Sequence, residues 1–186
     1  MDIKTINNEL FFKEVADRIA ADVRILIRAK GNSMLPFIRD NRDEIILEKP
    51  RDSSFRRGRL LLVRLADGKY VMHRLQKVKG NYVFLRGDGN ISAVERCTFK
   101  DVIAEATEIL RVPKTVCCAN TNSDSNPMSV HEGKSAHRGT AEQRGTWVRA
   151  GSFRWNLYRF LWPRNAFLRR ICLGFYRRIP LLQKLI

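Results

Sequence analysis

Apolar residues first recur at helical spacing: Phe12, Val15, Ala16 and Ile19 fall three and four positions apart and would line one face of a helix. Asn8 is suited to cap it, and the pattern runs to about Ala21. The period then changes to two. Val23, Ile25 and Ile27 alternate with Arg24 and Arg28, predicting a strand from Val23 to Ala29 that the stretch GNSMLPF, residues 31–37, breaks. Further short strands are expected at Glu44–Glu48, Arg59–Leu65, Lys69–Val78, Asn81–Arg86 and Val102–Arg111. Ala66-Asp67-Gly68 and Lys79-Gly80-Asn81 are hairpin chemistry between them. Short, closely spaced strands of this kind predict a mostly β domain of coiled antiparallel sheets behind an N-terminal helix, over residues 1–118.

Periodicity is lost between about Ala119 and Gly145, where Asn, Ser, Thr, Gly and His dominate, and residues 119–151 read as a flexible linker. Apolar residues return as FRWNLYRFLW, a break at Pro163, and NAFLRRICLGFYRRIPLLQKLI, with Phe167, Ile171 and Phe175 at helical spacing. Residues 152–186 therefore read as a tail of two basic amphipathic helices.

Composition changes this picture in one respect. The net charge of +16 is concentrated at the end, because no acidic residue follows Glu142 while ten Arg or Lys residues do. Such a tail attracts an anionic surface. Trp155, Trp162, Phe167 and Tyr176 among the arginines suit an anionic membrane surface, or packing on the β domain, better than a nucleic-acid stacking platform. No segment has the roughly 20 apolar residues a bilayer span needs, and MDIKTINNEL is not a secretory signal, so the expected location is the cytoplasm, peripheral to the inner membrane surface at most. Cys97, Cys117, Cys118 and Cys172 form no disulfide framework. Cys117, Cys118, His131 and His137 offer two sulfurs and two imidazoles, but adjacent cysteines lack the gap of structural zinc sites; no metal and no other cofactor is expected. Nothing in the pattern specifies an oligomer.

Ser33 sits between a strand end and Pro36, on a turn that Gly31 helps to make. A serine hydroxyl needs a base to act as a nucleophile. Of three histidines, only His73, in YVMHRL, lies in the β domain. Alternation puts it with Val71 and Leu75 on the apolar face, while Met72 and Arg74 face away. A histidine so placed can equally be a satisfied core residue. Lys69 and Lys77 flank it, but a lysine base must be buried to lower its pKa, and both look solvated.

Three stretches together resemble one family. GNSMLPF is similar to the Gly-x-Ser-Met-x-Pro nucleophile box of the signal peptidase and LexA-like serine peptidases. VMHRL resembles the Val-x-His-Arg-Val box of the branch in which histidine replaces the lysine base, and FLRGDGN resembles the Gly-Asp stretch that comes next there. Order and spacing agree from Val23 to Arg111. The resemblance implies a β-rich fold, an extended peptide or protein substrate held as an added strand and cut at small residues as in leader or signal peptides, Ser33 as nucleophile and His73 as base. The Ser33 N–H would hold the oxyanion, with Gly31 and Asn32 beside it.

The chain departs from that pattern at three points. Val94-Glu95 stands where the histidine branch carries an Asp-Asp pair, so the third catalytic member is first Asp88 of GDGN, which can also be an Asp-Gly turn residue, and second Glu95. Gly31 has no side chain to aid the oxyanion, a role Asn32 could take. Gly58-Arg59 replaces the usual Gly-Asp before the second strand. These departures keep open a second reading: a catalytically inactive β-domain binding module docked to a membrane or partner through its basic tail.

Overall fold

The structure is a computed structural model that describes residues 8–112, 131–132, 145–163 and 165–178. Helix α1 (Asn8–Ala20) buries Phe11, Val15 and Ile19, one per turn, and its flanking Phe12 stacks on Tyr70 at 4.6 Å. Nine strands follow among the described residues: β1 (Ile25–Arg28), β2 (Glu44–Glu48), β3 (Leu60–Arg64), β4 (Tyr70–Lys79), β5 (Tyr82–Arg86), β6 (Glu95–Thr98), β7 (Val102–Arg111), β8 (His131–Glu132) and β9 (Thr146–Arg149). Two helices follow among the described residues, α2 (Phe153–Leu161) and α3 (Ala166–Arg178).

The strands form one antiparallel sheet in the order β6-β5-β4-β3-β7-β2-β1-β8, with β9 also paired to β7, curled into a half-barrel. Register shifts at Ile46/Leu47, Leu62/Val63 and Leu75/Lys77 supply the bends, because an extra residue in one strand kinks it and increases its twist. Each face buries its own core. One joins α1, Ile25, Ile27, Phe37, Leu60, Leu62 and Trp155; the other joins Leu61, Val63, Leu75, Val83, Leu85 and Cys97.

The mostly β architecture with helices at both ends is as the sequence pattern predicts. Three strands are not foreseen by it: β6, and two inside the expected linker, β8, which pairs Ile25 and Leu26 of β1, and β9, which pairs Glu108–Arg111 of β7. The linker reading is thus corrected at residues 131–132 and at its end. Cys117, Cys118 and His137 of the candidate metal quartet lie outside the described residues. Gly58-Arg59 also finds a structural reason: Gly58 takes a φ of +92°, and Arg59 pairs at 3.0 Å with Glu105, whose other oxygen accepts the Ser54 hydroxyl.

Candidate active site

Ser33 sits on a loop rooted at both ends. Gly31 has a φ of +101°, open to glycine and costly for other residues, and donates its N–H to Asp40 Oδ1 at 2.7 Å. Met34, Phe37 and Ile38 are buried beneath, and a buried Arg39–Asp43 pair (2.6 Å) fixes the far side. Ser33 is half-buried, and neither its hydroxyl nor its N–H has a partner among the described residues. Gly31 therefore shapes the loop and, with its N–H engaged, supplies no oxyanion donor; Asn32 is exposed.

The candidate base is placed by β4. His73 is 2% exposed, with Nδ1 at 2.9 Å from Glu95 Oε2. Its other nitrogen, Nε2, is buried without a hydrogen-bond partner. The Glu95 contact follows from register. Leu75 lies opposite Leu85, and Leu85 opposite Glu95, so these three share a face, and His73, two residues before Leu75, shares it too. Neither lysine is a buried base. Lys69 is exposed with its pKa raised by Asp67, opposite to what a base at neutral pH requires, and exposed Lys77 lies over Phe84.

Asp88 does not orient His73, which corrects the first choice for the third member. At Gln76 the β4–β5 ladder slips by one residue: Lys79↔Tyr82 and Lys77↔Phe84 give way to Leu75↔Leu85 and Arg74↔Arg86. A slip of one exchanges the faces. Without it, the turn register would bring residue 88 opposite His73; with it, Gly87 falls there and Asp88 turns toward Arg74. Arg74 donates to Asp88 through Nε (3.0 and 3.1 Å) and a second nitrogen (2.6 Å), and also donates to the Gly58 carbonyl. Arg74 faces away from His73 as alternation predicts, but it is buried, because the tail covers that face.

Gly87 is where the Ser33 loop and His73 meet. A Cβ there would overlap the Ser33 carbonyl oxygen and come within 3.0 Å of His73 Nε2. Only a residue without a side chain lets the two segments come this close. Gly89 does the same beside Asn32, and its N–H donates to the Ser33 carbonyl at 2.7 Å. The hydrogen bond between Ser33 Oγ and Nε2 is not formed. In enzymes without substrate such bonds are commonly long and tighten on binding.

The tail packs on the β domain, one of the two placements the sequence allowed, and there braces both loops, which sequence reasoning missed. Trp155 meets Phe37 of the serine loop edge-on at 5.1 Å, and Tyr158 lies 4.4 Å from the same ring. Trp162 Nε1 donates to the Asp88 carbonyl (3.1 Å), and buried Arg169 donates to the carbonyls of Gly87 (3.0 Å) and Asn90 (2.9 Å). The available signal was tryptophan and tyrosine on the inner side of a short helix, residue types that bury large area and bring a polar handle.

No family model, curated protein or solved structure matches this chain. The chemistry of the site is therefore argued from its geometry: a half-buried serine with a free hydroxyl, and an imidazole held at one nitrogen and open at the other. Among the described residues there is no group of three or more metal-ligating side chains.

Proposed function

We propose that the protein is a serine peptidase of the signal peptidase and LexA-like type, with Ser33 as nucleophile, His73 as base and Glu95 as its orienting acid. The observation that carries this reading is the asymmetry of His73: Nδ1 rests on Glu95, and buried Nε2 faces the Ser33 segment across Gly87 with no partner. The Glu95 contact favours the tautomer with the proton on Nδ1, leaving Nε2 as acceptor. Nε2 takes the Ser33 proton as Oγ attacks the scissile carbonyl, then passes it to the departing amine; water reverses the sequence on the acyl-enzyme. The Ser33 N–H, which has no acceptor of its own, is the donor available to the oxyanion. β6, which begins with Glu95, stands at one end of the sheet, and its outer edge is unpaired among the described residues, suiting an extended peptide added as a strand. The test is cleavage of a leader- and signal-type peptide library, read by mass spectrometry: wild type cuts beside small residues and Ser33→Ala does not. Equal cleavage by both proteins refutes the assignment.

The tail also carries a surface suited to an anionic bilayer. Phe153 (78% exposed), Phe160 (81%) and Phe167 (69%) stand out from α2 and α3 with Leu161 and Leu168, among Arg154, Arg159 and Arg170. No helix among the described residues is long and apolar enough to cross a membrane. The reading is of docking onto the surface. Removing residues 152–186 is not a clean test, since it takes Trp155 from the core. Phe153→Ser/Phe160→Ser/Phe167→Ser is expected to abolish sedimentation with phosphatidylglycerol vesicles; retained sedimentation contradicts the docking surface.

A further inference from the structure

On the face of β4 away from His73, a cavity of about 330 Å³ opens between the sheet and the corner joining α2 to α3. Arg57, Arg74, Arg159 and Arg169 line it, with Gln76 and one carboxylate, Asp88. That carboxylate is fully engaged by Arg74, so those two charges cancel. Three guanidiniums remain without an acidic partner among the described residues. Arg159 gives one nitrogen to the Arg57 carbonyl (2.9 Å). Arg169 gives Nε to the Pro163 carbonyl (3.1 Å) and Nη1 to Gly87 and Asn90, which leaves its second terminal nitrogen free.

Arg159 is also seated with some care: Gly58 is without a Cβ where one would overlap the arginine Cδ and lie 3.0 Å from Nη1. Burial first, and next the nearby Arg86 charge, push the Arg169 pKa down, with Asp88 pulling it partly back up. Planar guanidiniums converging on one space match the oxygens of a phosphate in paired hydrogen bonds better than they match any neutral ligand. The volume is about ten times the 30 Å³ share of one water molecule, room for a phosphoester and not only a bare ion.

We propose that this cavity is a phosphate-binding site in which Arg57, Arg159, Arg169 and Gln76 hold the phosphate of an inorganic ion, a soluble phosphoester or a lipid headgroup. The lipid source is included because Phe160, which lines the cavity, belongs to the exposed apolar face of α2. The site lies apart from Ser33 and stands whether or not Ser33 cleaves a peptide.

The test is calorimetric titration of the full chain with inorganic phosphate and with glycerol 3-phosphate, alongside sedimentation with phosphatidic acid vesicles. Two variants remove the same charge: Arg57→Gln/Arg159→Gln in the cavity, and Arg154→Gln/Arg170→Gln on the exposed tail. The cavity variant is expected to weaken soluble phosphate binding about tenfold to a hundredfold, the control about twofold or less. Arg57→Lys/Arg159→Lys, which keeps the charge and loses the fork, falls between and replaces the glutamine pair if that variant does not fold. If vesicle binding drops in the cavity variant beyond the control, the lipid headgroup is the source; if only the soluble ligands respond, it is a free phosphoester. Equal losses in cavity and control variants, or no binding of either soluble ligand by wild type at millimolar concentration, overturn the site.

Discussion

His73 and Arg74 are neighbours on one strand, point to opposite faces, and each meets one carboxylate, yet the two pairs are built differently. On the Arg74 side Asp88 is 1% exposed, accepts from two guanidinium nitrogens, and the cation lies between the rings of Phe37, Trp155 and Tyr158 at 4.7–5.7 Å. Burial pulls the Arg74 pKa down, but Asp88 outweighs it and the net direction is up. That pair has no capacity left for a ligand. On the His73 side one nitrogen is held and the other is buried and idle. A saturated pair fixes structure, whereas a half-satisfied one holds chemistry in reserve. Asp88 and Glu95, which the sequence ranked first and second as partners of His73, thus lie on opposite faces of β4.

The largest effect is expected at His73. His73→Ala should lower turnover about a millionfold while the protein still melts cooperatively, measured by peptide cleavage and calorimetry. Glu95→Gln should cost about ten-thousandfold in kcat with little effect on KM, since the tautomer is lost and the binding surface is not. On the opposite face the effect should pass from activity to folding. Asp88→Ala should destabilise by about 3–5 kcal/mol in urea unfolding, because it strands a buried guanidinium, and Asp88→Leu/Arg74→Met should lie closer to wild type than the single exchange. If Asp88→Ala instead spares stability and removes activity, the roles of the two carboxylates are reversed.

A smaller effect is expected where the tail touches the site. Arg169→Gln loses the donors to Gly87 and Asn90 and should lower kcat about tenfold to a hundredfold by loosening the loop against Ser33. The smallest is alkaline. Burial, then Asp101, pushes the Cys97 thiol up to about 11 from 9.0, and burial raises Tyr158 and Tyr176 as well. All three hold their protons more tightly folded than unfolded. Their contribution is complete below pH 9 and declines as pH rises toward 11, so melting temperature should fall across that window.

Much of this was legible in the chain. Ser33 and His73 stand in local patterns that need no tertiary information, and β1 to β5 and β7 follow from alternation and turn residues. The choice between Asp88 and Glu95 was not, because it turns on the bulge at Gln76, and one extra residue in a polar hairpin leaves no mark in hydrophobic periodicity. The burial of Arg74 was not legible, since its cover, Trp155 and Tyr158, comes from helix α2, far along the chain. β9 was hidden for a similar reason: Thr146–Arg149 is too short to signal a strand without its partner β7.

Ser33 is proposed to be made nucleophilic by the His73–Glu95 pair. Labelling with a fluorophosphonate, followed by peptide mapping, tests it without knowledge of the substrate. One adduct on Ser33 is expected, formed far more slowly in Glu95→Gln and absent in His73→Ala. An unmodified Ser33, or one labelled as fast in His73→Ala as in wild type, contradicts it.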